Sequence, residues 1–210
     1  MIRIKICGLT RVEDALAAAE AGADALGFIF AKESKRRASV DLALEVGGKL
    51  PPFITLVGVF KDQPLEEVRR IMSEGCLHVA QLHGKEDQDY IDKLGLPTLK
   101  ALNADSSEVC ARMRGYREGT HFLLDAGGGG AGRPCDWSLA AKAQLDREII
   151  LAGGLTPENV GDAVRLVAPW GVDTAGGVES SNGIKDHELI RKFIGAVREA
   201  DAALERGDKV

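Results

Sequence analysis

Eight short apolar runs, each followed by a segment long enough to form a helix, divide the 210-residue chain. The runs are Ile2 to Ile6, Ala25 to Phe30, Phe53 to Phe60, Leu77 to Leu82, Thr98 to Leu102, His121 to Leu124, Ile149 to Ala152 and Val172 to Ala175. Several are apolar at nearly every position, the pattern of strands covered on both faces, as in parallel sheets. Helical periodicity falls between them. Leu65, Val68, Ile71 and Met72 share one helix face, and so do Val160, Ala163, Val164 and Val167. Leu189, Ile190, Phe193, Ile194 and Val197 form the inward face of a last helix. Thr10 to Glu13 reads as a T-x-x-E capping box. Pro64 and Pro157 stand at or near a first helical turn, where a missing N–H costs nothing. The segment between Leu102 and Thr120 has the thinnest helical pattern: Asp105 and Ser106 can cap it, and Gly115 and Tyr116 interrupt it early.

Strand then helix, repeated eight times in about 200 residues, predicts a single-domain (β/α)8 TIM barrel over residues 1–210. The alternative, an open doubly wound sheet, usually announces itself with G-x-G-x-x-G after the first strand. Here that turn is Cys7-Gly8-Leu9-Thr10. A chain of this size can bury a sizeable core without disulfides or a structural metal. Its 45 % apolar and 28 % charged residues are ordinary for a soluble globular protein. The net charge of −5 argues against a general nucleic-acid binder. It leaves room for a small anionic substrate, which backbone amides and one or two local cations can hold. Neither a secretory signal nor an uninterrupted apolar span of membrane length is visible, so a cytoplasmic protein is expected. The four cysteines, Cys7, Cys76, Cys110 and Cys135, form no C-x-x-C pair. Cys76 and Cys110 read as free thiols. With no H-x-x-x-H or D-x-D set, no metal is expected.

In a TIM barrel the site lies at the C-terminal ends of the strands, and those ends are chemically pointed. Run one ends in Cys7, and run two leads to Lys32, Lys35, Arg36 and Arg37. Run four ends in Gln81-Leu82-His83-Gly84, and run six in Asp125 followed by a glycine-rich stretch to Gly132. Run seven ends in Gly153-Gly154, while run eight contains Asp173 and leads into Gly176-Gly177. Cys7 lies just before the helix expected to open at Thr10, and a helix N-terminus stabilises a thiolate. A buried structural cysteine is an equally weighted reading. Desolvation raises a carboxyl pKa and suits a general acid near neutral pH. That is the setting expected for Asp125, with the glycines after it forming a loop able to close over a substrate. The two glycine pairs follow strands seven and eight, where barrels often bind phosphate through loop amides and a short extra helix. The basic cluster is usually solvated surface, although one member can turn inward to grip a carboxylate. His83 is either a ligand donor or a hydrogen-bonded loop residue.

Lys5-Ile6-Cys7-Gly8-Leu9-Thr10 resembles the K-I-C-G-L-T opening of phosphoribosylanthranilate isomerases. Gly58-Val59-Phe60, Gln81-Leu82-His83-Gly84, Leu124-Asp125, Asp136-Trp137, Leu151 to Leu155, Gly177-Val178-Glu179 and Gly183-Ile184-Lys185-Asp186 follow in that family's order. The resemblance implies a cofactor-free Amadori rearrangement in tryptophan biosynthesis, converting N-(5-phosphoribosyl)anthranilate to 1-(2-carboxyphenylamino)-1-deoxyribulose 5-phosphate. It implies Cys7 as general base and Asp125 as general acid. Arg36, Gln81, His83 and Asp173 would contact the substrate, with Arg36 at the anthranilate carboxylate. Gly153, Gly154, Gly176 and Gly177 would bind the phosphate. A phosphosugar is then the partner, and the chain would be a monomer or homodimer. Three segments depart from the family pattern. Ser34-Lys35-Arg36-Arg37 replaces S-P-R-Y, Gly129-Gly130-Ala131-Gly132 replaces G-G-T-G, and Asp173-Thr174-Ala175-Gly176-Gly177-Val178-Glu179 replaces D-V-S-S-G-V-E. The phosphate loop thereby lacks two hydroxyls and the acid loop one. Two other readings compete: a barrel acting on a different sugar phosphate, and a non-catalytic barrel that senses a phosphorylated metabolite.

Overall fold

A computed structural model describes residues 1–104, 108–125 and 137–207. Eight parallel strands close into a barrel in sequence order: β1 (Arg3–Cys7), β2 (Ala25–Ile29), β3 (Thr55–Phe60), β4 (Val79–Leu82), β5 (Thr98–Asn103), β6 (His121–Asp125), β7 (Ile149–Leu151) and β8 (Gly171–Thr174). Closure pairs β1 with β8, and Lys5 registers on Asp173. Helices α1 (Val12–Ala21), α2 (Val40–Gly47), α3 (Leu65–Glu74), α4 (Gln88–Leu94), α5 (Val109–Arg114), α6 (Trp137–Asp146), α7 (Val160–Val167) and α8 (His187–Arg206) alternate with the strands. A short antiparallel pair, β9 (Glu179–Ser181) and β10 (Ile184–Lys185), precedes α8. The alternating architecture expected from the apolar runs is the one observed.

Strand residues alternate between two compartments, as the two-residue period requires. Ile4, Ile6, Leu26, Phe28, Phe60, Leu82, Phe122 and Leu124 point outward into the main core beneath the helices. Val68, Ile71 and Met72 of α3, the four expected residues of α7, and Ile190, Phe193, Ile194 and Val197 of α8 meet them there. Leu65 and Leu189 are half-buried at its edge. A smaller cluster of Leu99, Ala101, Leu123 and Ala152 fills the barrel interior. That apolar plug leaves the two barrel ends as separate environments. The Lys100–Glu86 ion pair, at 2.8 Å, is buried on the outward side. It ties β5 to the loop after β4, where Glu86 also accepts from the Asp62 and Gly84 amides.

Two local expectations need correction. Thr10 does not open α1: the N-cap is Arg11, with no side-chain cap, and the Thr10 hydroxyl instead donates to the Gly183 carbonyl. Glu13 pairs with Arg11 rather than closing a capping box. Phe53 is not in β3. It has φ 75° and is 99 % exposed, so the strand starts at Thr55. Asp105 and Ser106, the caps proposed for the fifth helix, lie outside the described residues, and that helix ends at Gly115 as its sequence suggested. Where caps do form, short polar side chains supply them. Ser39 accepts from the Leu42 amide, Asp87 from Tyr90, and Asp186 from Glu188 and Leu189.

Candidate active site

The polar ends of the strands gather at one rim. Cys7 closes β1, registered against Gly27 of β2. A Cβ at position 27 would stand 2.7 Å from the Cys7 sulfur and 3.1 Å from the Lys5 Cε, so glycine leaves the space both side chains use. The thiol is buried. Burial pushes it up from its ordinary range, and the neighbouring Lys5 ammonium pulls it back only in part. This corrects the helix-terminus argument for a thiolate. α1 begins later, at Val12, and desolvation outweighs the favourable charge.

Lys5 is 4 % exposed and holds Asp173 at 2.8 Å. That carboxylate keeps the Lys5 ammonium above its usual range despite burial. Asp173 is within electrostatic reach of both chemical groups: its charge acts on Cys7, and it feels Asp125 and His83 in turn. Asp125, the last residue of β6, has its Oδ2 3.4 Å from His83 Nε2. His83 Nδ1 stands 3.4 Å from Gln81 Nε2, and Gln81 Oε1 is buried without a hydrogen-bond partner. The structure therefore brings Cys7, Asp125, Gln81, His83 and Asp173 to one end of one barrel. The glycine-rich loop from Ala126 to Gly132, expected to close over Asp125, lies outside the described residues.

Arg36 is the member of the basic cluster that turns inward. Its Nε and Nη2 donate to the two oxygens of Glu179 at 2.7 and 2.8 Å, a bidentate pair. Lys185, with a wholly buried side chain, adds a third donor to Glu179 at 2.9 Å and another to the Ala175 carbonyl at 2.9 Å. Two cations on one carboxylate leave an excess positive charge at this edge. Both hydrogen bonds and charge hold the Glu179 carboxyl below its usual range against the opposing effect of burial.

The glycine pairs answer to different constraints. Gly153 and Gly154, after β7, adopt φ of 91° and 66°, the left-handed region that favours glycine. Gly176 and Gly177 lie in a 3-10 turn, Gly176–Val178, the short extra helix expected after strand eight. A Cβ on Gly176 would meet Arg36 Nη2 at 3.3 Å, and one on Gly177 would sit 1.9 Å from the Leu155 carbonyl oxygen. That carbonyl is also held by the Thr174 hydroxyl at 2.7 Å. Gly177→Ala is therefore expected to force the two loops apart and destabilise the fold by about 1–3 kcal/mol. Gly195→Ala, on an open face of α8 with nothing within 4 Å, should stabilise by about 0.5–1 kcal/mol instead. Urea midpoints of the two variants should move in opposite directions, and an unmoved Gly177→Ala midpoint would contradict the close approach.

Three site residues escaped the residue-by-residue reading: Lys5, Glu179 and Lys185. A lysine inside an otherwise apolar strand is a usable signal for Lys5. Lys185 and Glu179 stand in a polar stretch that gives no such contrast. A cavity of about 890 Å³ opens at the opposite, N-terminal end, among the strand starts Arg3, Ala25, Thr55, Thr98, His121 and Gly171. None of the expected site residues lines it. Among the described residues no group of three or more His, Cys, Asp or Glu could hold a metal ion. No helix there is long and apolar enough to cross a membrane.

Comparison with known proteins covers nearly the whole chain. The family model for N-(5'-phosphoribosyl)anthranilate isomerase matches residues 4–196. The N-(5'-phosphoribosyl)anthranilate isomerase of Pseudomonas fluorescens strain Pf0-1 is 46 % identical over 202 residues, covering 94 % of this chain and 98 % of that protein. The Thermotoga maritima phosphoribosyl anthranilate isomerase structure superposes with a TM-score of 0.89 at 40 % identity, covering 95 % of this chain and 100 % of that one. A phosphoribosyl anthranilate isomerase in complex with reduced 1-(o-carboxyphenylamino)-1-deoxyribulose 5-phosphate superposes with a TM-score of 0.87 at 39 % identity, again covering 95 % and 100 %. The chain therefore belongs to the N-(5'-phosphoribosyl)anthranilate isomerase family.

Proposed function

We propose that the chain catalyses the Amadori rearrangement of N-(5-phosphoribosyl)anthranilate in tryptophan biosynthesis, with Asp125 as general acid and Cys7 as general base. The observation that carries the reading is the shared rim: β1 ends in the Cys7 thiol, β6 ends in the Asp125 carboxyl, and Asp173 of the closing strand is within electrostatic reach of both. Asp125 gives its proton to the furanose ring oxygen as the C1–O bond breaks, and the nitrogen lone pair forms an iminium ion. The Cys7 thiolate removes the proton from C2, and those electrons neutralise the iminium to give an enolamine. Proton transfer from the C2 hydroxyl and to C1 yields the ketone. The iminium is itself the electron sink, so the chemistry calls for no cofactor.

The remaining residues serve binding. Glu179 occupies Nε and Nη2 of Arg36, which leaves Nη1 to meet the anthranilate carboxylate. His83 and Gln81 flank the acid and contact the sugar. Backbone amides at Gly153, Gly154, Gly176 and Gly177 take the phosphate, a role that needs no side-chain hydroxyl. Ala175, Gly176 and Ala131, which stand in place of the family's two serines and threonine, therefore remain compatible with binding. Each of these residues comes from a single chain, so the reading holds for a monomer or a homodimer. Expression of the gene should restore growth of a tryptophan auxotroph lacking this isomerase, and purified protein should consume the fluorescent substrate. Failure in both assays would return the competing phosphosugar and sensor readings.

A further inference from the structure

Lys5 performs no binding or proton-transfer step in that scheme, yet it is a buried ammonium beside the proposed base. Lys5 and Cys7 lie two residues apart on the inward face of β1. The Cys7 sulfur and Lys5 Cε both approach within about 3 Å of the same point, the space left by Gly27. On the other side Asp173 grips the ammonium at 2.8 Å through a contact fixed by the β1–β8 register. Lys5 also borders the cavity at the N-terminal end, so it separates that space from the rim.

An apolar strand end is a poor place for a thiolate. The charged groups around Cys7 come from four elements: Lys5 on β1, Asp173 on β8, Lys185 on β10, and Arg36 in the loop after β2. Lys185 and Arg36 share Glu179, which offsets part of their charge. Asp173 opposes the thiolate, but less strongly than Lys5 favours it. Lys5 thus makes the largest favourable contribution, and its position is fixed by a partner on another strand.

We propose that Lys5 is a positioning residue of the isomerase: held by Asp173, its ammonium orients the Cys7 sulfur and supplies the countercharge that the thiolate needs to act as base. This rests on the reading of Cys7 as the base. A neutral residue at position 5 leaves still less of the base as thiolate, and a rigid ammonium cannot be replaced by a distant cation.

The test measures two quantities on the purified enzyme. One is the rate of Cys7 carbamidomethylation against pH, followed on the Cys7 peptide by mass spectrometry. The other is the pH profile of kcat/KM. Lys5→Met should raise the alkylation midpoint by at least about one pH unit, move the break that Cys7 ionisation makes in that profile with it, and lower kcat at neutral pH about tenfold or more per unit, with KM changed less than about threefold. Lys5→Met alone strands Asp173, so Lys5→Met/Asp173→Asn, which removes both charges, guards against misfolding and should show the same direction of shift. Unmoved alkylation midpoints in a folded variant would overturn the proposal. Cys7→Ser separates the two levels. If that variant keeps turnover, the base assignment itself falls; if it is inactive while Lys5→Met leaves the midpoint unmoved, only the role of Lys5 falls.

Discussion

Cys7→Ser and Asp125→Asn should each lower turnover by about 10² to 10⁴-fold, the range typical of a general acid–base group. Serine at position 7 keeps the shape but is far harder to deprotonate. Asparagine at position 125 keeps the contact to His83, 3.4 Å away, but has no proton of suitable acidity to give. Neither change opens a cavity or strands a buried charge, so unfolding midpoints should stay close to wild type. Steady-state fluorescence kinetics and a denaturant melt on each variant are sufficient. Near-wild-type turnover in either one removes that residue from the mechanism. Loss of turnover accompanied by loss of fold would instead return Cys7 to the role of a packed cysteine.

The largest effect on stability is expected at Glu179. Its carboxylate is the shared partner of Arg36 and of the wholly buried Lys185. Glu179→Ala leaves Lys185 with the Ala175 carbonyl and releases the guanidinium. Removing one partner of a buried ion pair costs about 3–5 kcal/mol, because the remaining charge stays desolvated. For a chain of this length that corresponds to a fall in Tm of roughly 6–20 °C. Glu179→Gln should recover little, since it keeps the shape without the charge. On the proposed binding mode the substrate KM should also rise, because Arg36 loses both hydrogen bonds that hold its guanidinium in place. A Tm within about 2 °C of wild type would show that water reaches Lys185 and that the triad does not hold the edge together.

Much of this protein was legible before folding was considered. Apolar runs at nearly every position gave the eight strands, and helix periodicity gave the faces of α3, α7 and α8, because burial on both sides of a strand and on one side of a helix leaves a direct trace in residue order. Cys7, Asp125 and the glycine pairs stood out because they interrupt apolar runs at strand ends. What misled was local grammar judged without its surroundings. The Thr10 hydroxyl had a capping position available but found the Gly183 carbonyl instead. Phe53 extended an apolar run, yet a left-handed backbone at that residue ends the strand pattern. The Cys7 helix-terminus argument weighed one favourable field and omitted desolvation.

Residue order by itself determined the alternation of elements and the kinds of groups at the rim, since both depend on periods of two and 3.6 residues within one segment. The partnerships were decided by tertiary structure. Lys5 meets Asp173 across 168 positions, and Arg36 meets Glu179 across 143, because barrel closure seats the first strand beside the last. Contacts of that span leave no periodic signal in the chain, and so the electrostatic setting of the thiol could be read only once the barrel was closed.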